Sequence, residues 1–381
     1  MELLDRVERL IAQAENSGVE FKSAGAHPDS LARELVAFAN SQGGTILLGI
    51  DDAGRVEGLD DSRSWEEWIA NIARQNVVPP LSPTYQEVVW QGKRLAVIDV
   101  PKGKERPYQT SRNLFLVRVG STSRAASQGE LMRLFQQAGV FHYDLTGVEK
   151  TGIRDLNLAK IAVYFQRYDI DLAQEEDPAS LLRNTDILTE TGEATVAGLL
   201  VFGIQPQRHL RNSSISFAHY AGRRPDAELV DRQVIEGNLD YQVDTALAVI
   251  RNNLRQPSVI EGAQRRELEP TYPDKVFREL LVNACVHRNY AIAGSRTRVL
   301  LFDDRLEVIS PGRLPNTVTV EKLRRGVSYA VNPVIVKFME NLRYIDKLGP
   351  GLPMVCQEAE RRGRQVAMAE VGEEFQVVLP M

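Results

Sequence analysis

Residues 37–59 read AFANSQGGTILLGIDDAGRVEGL, and the fold of the N-terminal third turns on this stretch. AFAN closes a helical run, and Gly43-Gly44 breaks the chain where a tight turn with positive φ and close backbone approach call for glycine. TILLGI is apolar, β-rich and bounded by turn residues, which predicts a buried strand. DDAGR then supplies a turn, where Asp51-Asp52 also has a purely structural use. Upstream, Ser30–Asn40 predicts a helix capped by Asp29 or Ser30. Val19–Lys22 is short and extended, and Leu3–Ala14 has helical spacing. Downstream, SWEEWIANIARQN (64–76) predicts an amphipathic helix ended by Pro79-Pro80. Tyr85–Trp90 and Leu95–Val100 alternate around Gln91-Gly92, a hairpin pattern. A charged loop, PKGKERP (101–107), leads to a strand in FLVRVG (115–120) and a helix in GELMRLFQQ (129–137). Residues 1–140 are thus expected to form an α+β domain.

Beyond it, residues 141–184 are polar and helical, which predicts a connector to a further domain over 185–381. TVAGLLVFG (195–203) and SISFAHYAG (214–222) are apolar segments, Leu239–Asn253 reads as a helix, and Pro257–Pro273 as an irregular link. From Pro273 the expected order is helix, two strands, two helices, two strands. A chain of 381 residues has room for two or three cores. No run of 18 apolar residues occurs, and MELLDRVERL lacks the pattern of a secretory signal. Cys285 and Cys356 are the two cysteines, which offer neither a disulfide framework nor a Cys-based zinc site. A cytoplasmic, membrane-free protein is expected.

Net charge is −5, so the surface as a whole does not favour duplex binding, which depends on neutralising phosphates. Yet nine basic residues fall between Lys93 and Arg133 against Asp99, Glu105 and Glu130. That stretch is either a solvated charged face or a local phosphate-binding surface. In the second case Lys102, Lys104, Arg106, Arg112, Arg118 and Arg124 are the expected phosphate contacts.

Two glutamates five residues apart, Glu15 and Glu20, are commonplace on surfaces. However, the ordered set Glu15-x4-Glu20-Phe21-Lys22, AFAN-x-x-GG and G-I-D-D-x-G-x-x-x-G resembles the Schlafen-type AlbA-like domain over roughly residues 1–135. The resemblance implies an α+β nucleic-acid-binding fold. In the ribonuclease branch of that family two glutamates and an aspartate form the cutting site. The matching positions here are Glu15, Glu20 and one of Asp51 or Asp52, which would hold Mg²⁺ or Mn²⁺, with Lys22 steadying the phosphate. Vertebrate relatives pair two such lobes, which implies a homo-oligomer for a chain carrying one.

In PDKVFRELLVNACVHRNY (273–290), Glu279, Asn283 and His287 recur at i, i+4, i+8 and line one helical face. His287 taken alone also fits a structural histidine. With FDDRLEVISPGRLP (302–315), SYAVNPVIVKFM (328–339) and DKLGPGLPMVCQEAERRG (346–363), the region resembles the gyrase, histidine-kinase and MutL-like (GHKL) ATPase module often fused to the Schlafen-type domain. It implies an α/β sandwich binding ATP or a related nucleotide with Mg²⁺. By motif, Glu279 would activate water, Asn283 would bind the metal, and His287, Ser310, Gly312, Gly349 and Gly351 would line the nucleotide. Three departures stand out: SPGRLP replaces the usual Asp-x-Gly-x-Gly loop, GPG stands where GTG is common, and Val331 precedes Asn332-Pro333 where relatives have arginine. The chain stops at Met381, without the winged helix-turn-helix of many relatives, which leaves nucleic-acid contact to the N-terminal domain. The expected function is a nucleic-acid-binding regulatory or defence protein with a nucleotide-binding module. The alternatives are a metal-dependent endoribonuclease acting on tRNA or other structured RNA, and an inactive oligomeric scaffold.

Overall fold

The computed structural model describes residues 2–51, 53–254, 258–261, 264–267, 272–327, 329–346 and 351–381. The chain divides into two compact units, Met1–Phe141 and His142–Met381, and its architecture is α+β.

The N-terminal unit runs α1 (Glu2–Gln13), β1 (Val19–Lys22), α2 (Pro28–Asn40), β2 (Gly44–Leu48), α3 (Trp65–Gln75), β3 (Val77–Val78), β4 (Thr84–Trp90), β5 (Lys93–Val100), β6 (Gln109–Thr110), β7 (Leu116–Val119), β8 (Thr122–Ala125) and α4 (Gln128–Gln137). Its main sheet has the order β1-β2-β5-β4, with β1 and β2 parallel and the other pairs antiparallel. Alternation along β2 explains the layering. Ile46 and Leu48 pack with α2 and α3, whereas Leu47 faces the opposite side with Val7 of α1 and Phe21. The β4–β5 turn is Gln91-Gly92, both at positive φ, as the sequence predicts.

Within the deciding stretch the two glycines have separate tasks. Gly43 takes φ +80, and a Cβ there would lie 2.6 Å from the Val100 carbonyl oxygen. Gly44 lets the strand pass under Phe38, since its Cβ would meet that ring at 2.2 Å. Asn40, buried at the end of α2, receives the Tyr108 N–H at 2.7 Å and donates to the carbonyls of Tyr108 and Leu116 at 2.8 and 2.9 Å. The helix starts earlier than expected. Its cap is His27, whose Nδ1 accepts the Asp29 N–H at 3.2 Å, because Pro28 has φ preset for the first turn. Strand β8, not anticipated, turns back on β7 before the capping box of Ser127 and Glu130 opens α4.

The C-terminal unit contains α5 (Leu158–Gln166), α6 (Pro178–Asn184), α7 (Val196–Phe202), β9 (Ile215–Ala221), β10 (Glu228–Ile235), α8 (Leu239–Asn253), β11 (Ser258–Glu261), β12 (Gln264–Glu267), α9 (Asp274–Val286), β13 (Thr297–Leu301), β14 (Arg305–Pro311), α10 (Val320–Arg324), α11 (Pro333–Asn341), α12 (Gly351–Glu360), β15 (Ala367–Val371) and β16 (Glu374–Pro380). A mixed sheet of order β10-β9-β13-β14-β16-β15 carries α8 and α9 on its apolar face. Only the β9–β13 pair is parallel, as a crossover through helical segments requires. Two expectations change here. The stretch read as a connector supplies Ile161, Tyr164 and Phe165 to the core of this unit; its polar residues are simply the outer faces of short amphipathic helices. The stretch read as an irregular link holds the antiparallel pair β11–β12.

Asp144, with no exposed surface, caps α11: its Oδ2 accepts the N–H groups of Val334 and Ile335 at 2.8 and 3.2 Å. Burial raises its carboxyl above the ordinary range, against these hydrogen bonds. Asn332, equally buried, donates from Nδ2 to the carbonyls of Val286 and Arg288, each at 2.8 Å. The end of α9 and the start of α11 are thereby joined through one amide.

Candidate functional site

In the N-terminal unit the motif residues lead to a buried charge network. Glu20 on β1 meets Lys22 through Oε1 and Arg118 Nη1 through Oε2, the latter at 2.7 Å. Glu34 on α2 receives Arg118 Nη1 at 3.2 Å and the Ser123 hydroxyl at 2.6 Å, with Lys22 3.7 Å away. The Arg118 side chain is 1% exposed, donates to the carbonyls of Asn16 and Val19 at 2.8 and 3.0 Å, and lies over the Phe38 ring. Two carboxylates and two cations balance one another. Such a group is costly to break and modest in net gain. Burial works against the charge on Lys22, but Glu20, Glu34 and Glu15 outweigh it and hold the ammonium above its usual range.

Glu15 adds its charge to the Lys22 side of this network, whereas Asp51 is engaged in a turn of its own. Glu15 Oε1 accepts the Phe21 N–H at 3.0 Å. Asp51 closes the DDAGR turn by accepting the N–H groups of Arg55 and Ala53 at 2.7 and 3.0 Å and Arg55 Nε at 2.8 Å. These bonds, the Arg55 N–H first, keep its carboxyl below the ordinary range. Asp52 lies outside the described residues. Among the described residues no three His, Cys, Asp or Glu side chains are grouped to hold a metal ion.

The six expected phosphate contacts divide by burial. Arg118 and Arg106 are interior, with 9% and 2% of the residue exposed, so neither is available to a nucleic acid. Lys102 is half-buried, and Lys104, Arg112 and Arg124 are exposed. Arg112 pairs with Asp29. Arg124 forks onto both oxygens of Glu130 at 2.8 Å and, as the largest influence, holds that carboxyl down at about 2.

The C-terminal unit gathers its predicted residues around a single cavity of about 370 Å³, inside the range of ligand pockets. Glu279, Asn283 and His287 present one face of α9 to it, and Ser310, Gly312 and Gly351 lie on its walls. Gly349 lies outside the described residues. Asn283 donates from Nδ2 to Glu279 Oε1 at 2.6 Å, which leaves its Oδ1 as an acceptor. Burial raises the Glu279 carboxyl, with the Asn283 hydrogen bond opposing. His287 ends α9, and enclosure pushes its imidazole down to about 4, so it is neutral at physiological pH although part of it faces the cavity.

Hydrogen bonds to the protein backbone fix two of the expected loop residues in the walls. The Ser310 hydroxyl donates to the Ala284 carbonyl at 2.7 Å, and the Gly312 N–H to Glu373 O at 2.8 Å. Gly312 is required for passage, since at φ +122 a Cβ would lie 2.8 Å from Asn289 Cβ. Gly351 opens α12 at φ +51, where a Cβ would sit 3.5 Å from Glu279 Oε1. The first turn of α12 thus passes against the carboxylate. Leu280, Val308, Val318, Leu323, Phe375 and Val377 make the opposing walls apolar. Arg313 is committed to Glu373 at 2.9 Å and to the Gly372 carbonyl at 2.7 Å. An apolar wall suits a flat ring, and a Glu–Asn helix face supplies hard oxygens for a divalent cation. Sequence reading missed Asp144, Glu34 and the clamping role of Asn332; the Asn332-Pro333 pair at a helix start was the available signal.

Residues 15–127 match the family described as Schlafen, AlbA_2. Residues 294–379 match the family described as "Putative ATP-dependent DNA helicase recG C-terminal", a span that begins after α9. Among solved structures, the DIP2311 protein of Corynebacterium diphtheriae aligns at 23% identity and TM-score 0.48 over 99% of this chain and 80% of that one. The N-terminal domain of a RecG-related protein of Nitrosomonas europaea aligns at 28% identity and TM-score 0.26 over 33% of this chain and 89% of that one. Among the described residues no helix is long and apolar enough to cross a membrane. The N-terminal unit thus matches the Schlafen AlbA_2 family and the C-terminal unit the recG C-terminal, HATPase-like family, a pairing that supports a nucleic-acid-associated protein.

Proposed function

We propose that this protein binds nucleic acid in a regulatory or defence role and holds an ATP-type nucleotide with Mg²⁺ in its C-terminal unit. The observation that carries the nucleotide reading is the convergence of Glu279, Asn283 and the first turn of α12 on one cavity with apolar walls. Asn283 Oδ1 is the residue group that would hold the cation, which neutralises phosphate charge when bound. The α12 start adds a favourable dipole end for anions. Glu279, whose carboxyl burial raises above the ordinary range, is the proton acceptor for an attacking water. His287, uncharged, fills the far end of the polar face without competing for the metal through charge. The same fold features support holding the nucleotide over rapid turnover, because the Gly312 amide and the Ser310 hydroxyl are already spent on protein carbonyls.

Of the six expected phosphate contacts in the N-terminal unit, Lys104, Arg112 and Arg124 are the exposed ones, Arg112 and Arg124 each sharing an acidic neighbour. The balanced network around Glu20 supports a binding role ahead of cleavage.

Titration of a fluorescent ATP analogue, with Mg²⁺ or with EDTA, tests the nucleotide reading. Mg²⁺-dependent binding that weakens at least tenfold in Asn283→Ala is expected, with Glu279→Gln retaining affinity. Saturating ligand at about 100 times Kd would add about 2.7 kcal/mol to stability. No binding and no thermal shift at millimolar ATP-Mg²⁺ would refute it.

A further inference from the structure

The C-terminal unit carries a positive face that neither the cavity nor the Schlafen AlbA_2 domain accounts for. Val320–Val327 and Cys356–Val366 hold six cations against Glu321, Glu358 and Glu360, in a chain whose net charge is −5. The two segments are fixed beside each other: Arg324 donates to the Val366 carbonyl at 2.5 Å and reaches Cys356 Sγ at 3.9 Å.

At the centre of this face one nearly buried carboxylate serves three cations. Glu358 meets Lys275 of α9 at 3.0 Å, Arg362 at 2.9 Å and Arg361 at 3.3 Å. The cluster therefore keeps an excess of positive charge while each partner is steered by a fixed anchor. Arg362 is held further by the Glu358 carbonyl at 2.7 Å and lies over the Tyr272 ring. Arg325 and Arg364 make no side-chain hydrogen bond or ion pair among the described residues. Guanidinium groups anchored on one edge keep donors free on the other, which matches the bidentate recognition of phosphate at low entropic cost.

We propose that this α10–α12 face is a second nucleic-acid contact, binding the phosphodiester backbone without reading sequence. It rests on the nucleic-acid reading of the chain but on a surface separate from the N-terminal one, and it does not depend on the nucleotide cavity.

The test compares full-length wild type with R325E/R361E/R364E and with K104E/R112E/R124E. Each is titrated with labelled duplex DNA and with single-stranded RNA of equal length across a salt series. Loss of three duplex phosphate contacts lowers the slope of log K against log salt by about 2.7, since each contributes about 0.9, and affinity falls at least tenfold at low salt. R325Q/R361Q/R364Q, which keeps the packing without the charge reversal, is expected to show a smaller loss in the same direction. Whichever probe shows the larger change identifies the nucleic acid. Unchanged affinity and slope in R325E/R361E/R364E, with all loss confined to K104E/R112E/R124E, would overturn the second contact while leaving the N-terminal reading intact. Wild type that binds anionic phospholipid vesicles and neither nucleic acid would overturn it as well.

Discussion

Both units are organised around a glutamate that the sequence singles out, and the two glutamates differ in their partners. Glu20 faces Lys22 and Arg118 in an enclosed, charge-balanced network. Glu279 has one neutral amide as its side-chain partner and faces a cavity. The first arrangement holds two strands and a helix in register. The second keeps a carboxylate in an unfavourable setting, which is where chemistry and ligand binding concentrate. A glutamate in a motif therefore takes its meaning from the charge placed against it.

The sharpest way to break this comparison is Arg118→Ala. It leaves Glu20 and Glu34 buried with one cation between them, and a loss of about 3–5 kcal/mol is expected. Urea unfolding of the intact chain, followed through the transition of the N-terminal unit, measures it. A loss below about 1 kcal/mol would put the network at the surface in solution. Asn332→Ala comes next, because two buried carbonyls lose their donor, at about 2 kcal/mol in the C-terminal transition. Gly44→Ala follows at about 1–3 kcal/mol, since its methyl would press on the Phe38 ring and lie 2.9 Å from the Gly18 carbonyl oxygen.

Glu279→Gln reverses the sign. The folded carboxyl titrates above its unfolded value, so its contribution is full below the unfolded pKa and is lost as pH rises through the folded one. The glutamine variant should then melt higher than wild type at neutral pH, with the difference vanishing at acidic pH. A lower melting temperature across that range would mean that a cation or donor stabilises the ionised form. His287→Asn acts in the opposite window and has little effect at neutral pH. With the folded imidazole near 4, wild type loses stability as pH falls below about 6.5 toward 4, and the variant should lose less over that interval.

Much of the fold is legible because its decisive residues act locally. The Gly43-Gly44 break, the Gln91-Gly92 hairpin and the helix Leu239–Asn253 each follow from spacing and backbone freedom within a few residues. The shared face of Glu279, Asn283 and His287 on α9 is legible for the same reason, since i, i+4, i+8 places three side chains on one face whatever surrounds them. Arg118 was not legible. It stands in a basic stretch beside Arg112 and Arg124, and only contacts to Glu20 and Glu34, 98 and 84 residues away in the chain, make it interior. The core role of Ile161, Tyr164 and Phe165 was missed for another reason: the polar stretches flanking Leu158–Gln166 masked a short, mostly apolar helix.

Asp144 has a consequence for measurement. The amide hydrogens of Val334 and Ile335 end on its carboxylate and not on a backbone carbonyl. Their exchange with solvent deuterium therefore reports the closure of one corner of the cavity wall, since α11 also contributes Val336 and Glu340 to the lining. Those two hydrogens form a built-in clock for the opening of the C-terminal unit, readable without any ligand and without altering a residue that would touch one.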